Sequence, residues 1–177
     1  MSLPQAVCEL AEDVPAERFK AAMSSVCTPV SVVTAFDGTR PHGTTVSALC
    51  SLSLRPPMVM LALDESSALL RVLRTAPCFG INILSQAQHG IARTFAVKGD
   101  NKFQNVDWVE RSGAPRIADS ACWLACEAER LVPGGDHTVV LARVLETDHE
   151  DTAAPLTYHR RAFGTHAALG PVAGRTT

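Results

Sequence analysis

The stretch GTTVSALCSLSLRPP, residues 43–57, is the most informative part of this sequence. Apolar and hydroxyl-bearing side chains alternate along it, and a period of two is typical of a β-strand. On such a strand Ser47, Ser51 and Ser53 share one face. The double proline near the end stops the strand, because proline donates no hydrogen bond to a sheet. The polar row is either a plain solvated face or a cradle for a phosphate and a polar ring.

Composition and charge exclude several classes of protein. The chain has 177 residues, of which 46% are hydrophobic, and a formal net charge of -2. These values predict one domain that folds around its own core without disulfides or metals. The lack of a basic excess argues against nucleic-acid binding. No apolar window approaches the ~18 residues of a membrane helix, and no signal peptide is visible, so we expect a cytoplasmic protein with no membrane partner.

The cysteines and the chain ends complete this first description. None of the six cysteines forms a C-x-x-C pair, and most lie inside apolar runs. We therefore expect free thiols that are mostly buried as small apolar side chains. The ends carry no strong pattern, so we expect a flexible N-terminus over 1–14, one domain over 15–166 and a flexible tail over 167–177.

Turn and cap residues predict where several elements begin and end. Asp37-Gly38 lies between two strand-like runs, which is a strong hairpin signal. Asp13 is expected to cap a first helix, and Ser66 or Ser67 a second one. A third helix is expected over 85–96 from the spacing of its apolar residues.

The strand-like runs then give the architecture. Residues 98–120 are polar and rich in turns, and residues 122–132 alternate as a half-exposed strand does. About six strands and two or three helices result, and short turns between strands favour antiparallel pairing. Such sheets avoid open edges by curling shut. The predicted fold is a mainly β, mostly antiparallel small barrel with helices packed outside it.

Familiar nucleotide, metal and hydrolase motifs are missing from the sequence. There is no G-x-G-x-x-G after a strand and no G-x-x-x-x-G-K-[ST], so a phosphate must be bound by turn N–H groups and hydroxyls. The six histidines form no H-x-x-x-H or H-E-x-x-H pair, and we expect no metal site. No G-x-S-x-G nucleophile elbow is present either.

Two further stretches contain residue types suited to binding. In GGDHTVVLARV a glycine turn precedes His137, which is placed either at a barrel rim or as a simple turn residue. In PLTYHRRAFG, Tyr158 suits ring stacking, and Arg160 and Arg161 suit phosphate binding. The same residues also fit an ordinary surface edge.

Taken in order, five stretches resemble the flavin reductase-like family: GTTVSALCSLSLRPP, CFGINILSQAQHGIARTFA, GDNKFQNVDW, GGDHTVVLARV and PLTYHRRAFG. The resemblance covers residues 18–164. It implies an FMN-binding split β-barrel and a homodimer that binds FMN or FAD. It also implies an enzyme that moves a hydride from NADH or NADPH to flavin and supplies reduced flavin to a partner monooxygenase.

The resemblance also implies roles for individual residues. The isoalloxazine edge is expected at Thr44, Thr45, Val46, Ser47 and Ala48, and the ribityl phosphate towards Cys50, Ser51 and Ser53. Asn82, Ile83 and Leu84 are expected beside the flavin, Lys102 at the phosphate, and His137, Tyr158 and Arg160 beside the nicotinamide. Many relatives have a hydroxyl residue where this chain has Cys50. Two alternatives stay open: a non-catalytic flavin carrier, and a split-barrel oxidase of the pyridoxine-phosphate type.

Overall fold

The computed structural model describes residues 13–170. Residues Gln86–Gln88 form a single 3₁₀ turn. The helices are α1 (Ala16–Met23), α2 (Ala68–Leu73) and α3 (His89–Ala96). The strands are β1 (Thr28–Pro29), β2 (Ser31–Asp37), β3 (Arg40–Val46), β4 (Leu49–Leu54), β5 (Pro57–Asp64), β6 (Phe79–Ile83), β7 (Trp108–Arg111), β8 (Ala114–Ile117), β9 (Cys122–Gly134), β10 (His137–His149), β11 (Leu156–His159) and β12 (Ala162–Thr165).

Seven of the strands form one antiparallel sheet in the order β3-β2-β6-β9-β10-β5-β4. Its two edge strands, β3 and β4, follow each other in the chain and are joined by Ser47 and Ala48. The sheet therefore curls until its edges meet, which confirms the predicted mostly antiparallel barrel. The prediction of about six strands is wrong, because short strands and two small hairpins lie outside the main sheet.

The stretch 43–57 is not one strand. It ends one edge strand at Val46, crosses to the opposite edge, and turns at its prolines into β5. Ser47 lies in the crossing, and a bulge falls between Ser51 and Ser53 in the pairing of β4 with β5. A bulge breaks the alternation of faces. The predicted continuous serine row is thus interrupted twice, because the same stretch supplies both edges of a closing sheet.

Other predicted elements are confirmed, with corrections at their ends. The Asp37-Gly38 hairpin joins β2 to β3, and Gly38 takes a φ of 62°, which a residue without Cβ adopts easily. The first helix forms, but its N-cap is Pro15, and no side chain caps it. Residues 98–120, predicted as an irregular segment, contain the β7–β8 hairpin.

Burial departs from the prediction at β9 and at two cysteines. Trp123 and Ala125 on one face of the first half of β9 and Cys126 on the other are all buried, so both faces of this half are covered. A half-exposed strand is therefore wrong for that half. Cys27 and Cys50 are exposed, contrary to the expectation for most cysteines.

Two buried clusters stabilise the barrel. One lies between the sheet and α2 around Leu61, Leu69 and Phe79, and the other lies under α3 around Phe95 and Leu156. No helix among residues 13–170 has the length and apolar character that a membrane crossing needs. Residues 1–12 and 171–177 lie outside the described part, so the flexible ends and the domain limits stay predictions.

Candidate functional site

A cavity of about 640 Å³ opens where the end of β3, the start of α2 and the end of α3 meet. We call it the Thr44 cavity. Seven of the residues that the sequence placed at the flavin or nicotinamide line it together: Thr44, Thr45, Val46, Ser47, Ala48, Lys102 and His137. They come from three distant parts of the chain, and the closing of the sheet brings them to one place.

The two threonines attach β3 to α3. The Thr45 hydroxyl donates a hydrogen bond of 2.7 Å to the Ala92 carbonyl, and the Thr44 hydroxyl lies 3.5 Å from the Phe95 carbonyl. Their donor capacity is therefore used within the fold, although each hydroxyl oxygen can still accept a bond. What β3 offers to a ligand is its outer backbone edge, which has no strand partner among the described residues.

Lys102 fixes the same wall of the cavity from the other side. Its Nζ donates to the Gly43 carbonyl at 3.2 Å and to the Phe95 carbonyl at 3.0 Å. Burial lowers the pKa of this ammonium group, because a charge is less stable away from water. Lys102 thus holds β3 and α3 together and places a positive charge at the cavity.

His42 adds a buried nitrogen without a partner. Its Nδ1 has almost no contact with solvent and no hydrogen-bond partner among the described residues, although the side chain lines the Thr44 cavity. Burial lowers the pKa of His42 first, and the charges of Lys102 and Arg40 lower it further. The imidazole is therefore held neutral beside a cationic wall. A buried polar atom left unpaired is costly, so His42 Nδ1 is a weak point of this wall.

His137 stands at the mouth of the cavity as the first residue of β10, opposite Asp64 on β5. Its Nδ1 lies 2.7 Å from the Asp136 carboxylate in the preceding turn, which leaves Nε2 to face a ligand. Hydrogen bonds from Ser66 lower the pKa of Asp64, and the charge of His137 adds to this. The Asp64 carboxylate is thus kept ionised next to the histidine.

Sequence reasoning missed part of this site. The additional polar and charged lining residues are His42, Asp64, Ser66, Ser67, Arg71, Lys98 and Asp100. The sequence marked the serines only as helix caps, and neither makes a side-chain cap bond to α2. The sequence did contain a signal for these residues, since a serine pair follows the end of a strand and opens a short helix. Only the pairing of β10 with β5 brings this pair beside His137.

Asn82, Ile83 and Leu84 do not line the Thr44 cavity. The Asn82 side chain is fully buried, donates to the Val32 carbonyl at 3.1 Å and accepts the Ile117 N–H at 2.7 Å. Leu84 is buried in the cluster under α3. Asn82 and Leu84 thus pack in the core in or beside strand β6, where a ligand was expected, and Ile83 is half-buried at the end of that strand.

Three of the residues expected at the phosphate, Cys50, Ser51 and Ser53, lie on β4, beyond the cavity. Cys50 and Ser51 are exposed on this edge strand, and neither is part of the cavity lining. The Ser53 hydroxyl accepts the Arg55 N–H at 3.2 Å and so stabilises the turn to β5. Lys102, which was also expected at the phosphate, does line the cavity, and so does Arg71.

Tyr158 and Arg160 lie at a different place from His137. Tyr158 lines a second cavity, of about 760 Å³, between α3 and the β11–β12 hairpin, and Arg160 lines neither of these cavities. The Arg160 N–H bonds to the Ser24 carbonyl next to α1. Within one chain, therefore, these two residues do not assist His137, because the hairpin packs at the opposite end of α3.

Comparison with known proteins identifies the family. Residues 23–167 match the family model described as a flavin reductase like domain. The chain belongs to the flavin reductase-like family. The resemblance in the five sequence motifs is thereby confirmed, and so is the expectation of an enzyme, a flavin oxidoreductase.

Individual relatives agree with this. The chain is 35% identical, over 90% of its length and 85% of that protein, to the reductase component of a 4-nitrophenol 4-monooxygenase/4-nitrocatechol 2-monooxygenase from Rhodococcus opacus. It is 33% identical, over 92% of its length and 88% of that protein, to an NADH:FMN oxidoreductase from Rhodococcus qingshengii. The solved structure of a Streptomyces globisporus NADH:FAD oxidoreductase with NAD and FAD fragments superposes with a TM-score of 0.83 at 31% identity, covering 91% of this chain and 100% of that one.

Proposed function

We propose that this chain is the reductase component of a two-component monooxygenase, which oxidises NADH, reduces FMN or FAD and releases the reduced flavin to an oxygenase. The observation that carries the proposal is the Thr44 cavity, which gathers an open strand edge, Lys102 and His137 in one place. Relatives named as NADH:FMN oxidoreductase and as a monooxygenase reductase component support the donor and the partner.

The residues of the cavity fit a flavin. The outer edge of β3 offers backbone groups to the polar edge of a ring. Lys102, Arg71 and Lys98 offer positive charge to a phosphate. When bound, flavin and nicotinamide supply the hydride acceptor and donor, and the protein supplies binding, orientation and exclusion of water.

His137 is the residue we place beside the nicotinamide. Asp136 contacts its ring through Nδ1, which leaves Nε2 without this partner and available to a ligand. Hydride transfer needs no general base, and the absence of a carboxylate pair from the sequence motifs agrees with such chemistry. The role of His137 is to orient one ring against the other.

The experiment follows absorbance at 340 nm with NADH or NADPH, each with FMN, FAD or no flavin. We expect oxidation that depends on free flavin. The variant H137A should raise KM for NADH or lower kcat by about tenfold, which corresponds to ~1.4 kcal/mol for one lost hydrogen bond, with flavin affinity unchanged.

The chain offers a matched control for this variant. His149, at the other end of β10, also pairs with a nearby carboxylate, Asp151, at 3.0 Å, but lies outside the cavity. H149A should therefore keep full activity. Flavin binding without any NADH or NADPH oxidation would mean that the chain is a flavin carrier.

We also propose that the protein is a homodimer. Helix α1 has no buried residue, and the apolar side chains Val14, Phe19, Met23 and Val26 on and around it are 63%, 58%, 48% and 47% exposed. Exposed apolar groups of this kind mark interfaces. Light scattering should give twice the chain mass, and F19E with M23E should give the monomer; an unchanged mass in that variant would rule out α1 as the interface.

A further inference from the structure

The residues that follow α3 form one wall of the Thr44 cavity. We call residues 97–101, which run from the end of α3 to Lys102, the strap. Four residues of the strap line the cavity: Val97, Lys98, Gly99 and Asp100. Val97 is also exposed, although its side chain is apolar. The strap therefore borders the site over most of its length without being packed down on it.

The backbone of the strap is weakly held. Lys98, Gly99 and Asp100 take part in no backbone hydrogen bond within residues 13–170. Gly99 has a φ of 153°, which a residue without Cβ adopts easily. Segments with so few backbone hydrogen bonds are the ones that open at the lowest cost in a folded protein.

One ion pair ties the strap to the sheet. The Arg40 guanidinium, at the start of β3, lies 2.9 Å from the Asp100 carboxylate, and both side chains are exposed. An exposed pair of this kind contributes little free energy, because water and salt screen it. It holds the strap in the position seen here, and it can break and form again readily.

The space around the strap allows it to move in one direction. Behind it, towards the start of β3, there is a void of only about 10 Å³, lined among others by Arg40, Gly99 and Asp100. In front of it lies the Thr44 cavity, with about 640 Å³. Because close-packed atoms leave no room at the back, a strap that moves must move into the cavity.

An opposite charge lies across the cavity from the strap. Lys98 and Asp64 both line the cavity, but Lys98 forms no ion pair within residues 13–170. Hydrogen bonds from Ser66 lower the pKa of Asp64 most, and the charges of His137 and Lys98 lower it further. The carboxylate is thus ionised and attracts the Lys98 ammonium group, and this attraction grows as the distance between them falls.

We propose that the strap is a lid that closes over the flavin in the Thr44 cavity. The Arg40–Asp100 pair holds the lid open, and the attraction between Lys98 and Asp64 draws it shut. The inference rests on the proposed function, since the ligand is the flavin of that function. A closed lid keeps the ligand in place and away from water, and an open lid releases it. The two pairs of charges therefore set how fast reduced flavin leaves the protein.

The test measures how fast riboflavin and FMN leave the full chain, by stopped-flow dilution in which flavin fluorescence rises as the ligand dissociates. R40A and D100N each remove the tie that holds the lid open. Each should slow the release of riboflavin by about two- to fivefold, the range that one exposed ion pair supplies. R40A should slow FMN release equally, because Arg40 does not line the Thr44 cavity.

Two further variants test the mechanism. The double variant R40A/D100N should release riboflavin at the rate of R40A, because the same pair can be lost only once. K98A removes the attraction towards Asp64 and should accelerate riboflavin release by a similar factor. Riboflavin has no phosphate, so a direct contact between Lys98 and a flavin phosphate cannot explain that result.

Ionic strength and a matched variant serve as controls. The difference between R40A and wild type should shrink towards 1 M salt, where the screening length falls to about 3 Å. Arg143 forms a similarly exposed ion pair, with Glu127 at 2.6 Å, but lies outside the cavity. R143A should therefore release riboflavin at the wild-type rate.

Two outcomes overturn the inference: release at the wild-type rate by R40A and D100N, or faster release by R40A, D100N and K98A alike, which would mean that the substitutions only loosen the cavity wall. Flavin-dependent NADH oxidation by the same samples separates the lid from the proposed function. If oxidation persists while the release rates stay unchanged, the lid fails and the reductase stands. If wild type binds neither flavin and oxidises neither NADH nor NADPH, the reductase fails as well.

Discussion

The clearest prediction concerns Asn82, which the family resemblance placed beside the flavin and the structure places in the core. Its side chain makes three hydrogen bonds: to the Val32 carbonyl, to the Thr34 hydroxyl at 3.2 Å, and from the Ile117 N–H at 2.7 Å. These bonds tie β2, β6 and β8 together where no water reaches them, because Asn82 is 0% exposed.

The variant N82A removes all three bonds. The buried Ile117 N–H then has lost its acceptor, which costs about 1–3 kcal/mol, and each lost donated bond costs about 0.5–1.5 kcal/mol. The expected loss is about 2–6 kcal/mol in the free energy of unfolding. For a chain of this size each kcal/mol lowers Tm by about 2–4 °C. Because the Thr44 cavity is formed by other residues, flavin affinity of the folded protein should stay within about twofold of wild type.

Urea unfolding at constant pH measures the loss, and fluorescence quenching measures flavin affinity in the same buffer. N105A is the matched control, because Asn105 is exposed, and its free energy of unfolding should change by less than about 0.5 kcal/mol. The reasoning is refuted if N82A keeps wild-type stability and loses flavin binding. Asn82 would then be the ligand residue that the resemblance implied.

Other residues of the site give further predictions. G43A should cost about 1–3 kcal/mol and weaken flavin binding, because its Cβ would lie 2.7 Å from the ring of the buried Phe95; an unchanged Cm in urea would contradict this. The pKa of His42 is lowered in the folded protein, so below pH 6.5 the unfolded chain binds this proton more readily than the folded chain does. The free energy of unfolding should therefore fall as the pH drops below 6.5, by less than about 1.4 kcal/mol per pH unit. H42Q should make the free energy of unfolding depend less on pH. Thermal unfolding that shows the same pH dependence in H42Q and wild type would refute this prediction. In the native protein a thiol reagent should modify Cys50 but not Cys126, whose pKa burial raises to about 12; equal rates would refute this.

Local patterns in the sequence were enough for much of the fold and for one side of the site. The Asp37-Gly38 hairpin, the strand at β5 and the turn before His137 are confirmed, because each depends on neighbouring residues only. The same holds for residues 44–48, which stay together at the Thr44 cavity since they are adjacent in the chain. Residues that are adjacent in the sequence can be assigned to the same site without knowledge of the tertiary structure.

Tertiary structure decided which distant residues meet and which faces are covered. Asn82 reads as a polar strand residue, but β6 is central and covered on both sides, so its amide faces backbone groups of the core. His137 and Tyr158 come from two consecutive sequence motifs. In the structure they line two different cavities, which lie at opposite ends of α3. Ser66 and Arg71 reach the Thr44 cavity because α2 packs against β2 and β3, and the pairing of β5 with β10 adds His137. Long-range strand pairing is set by the energy of the whole closed sheet, and no local window of the sequence contains that information.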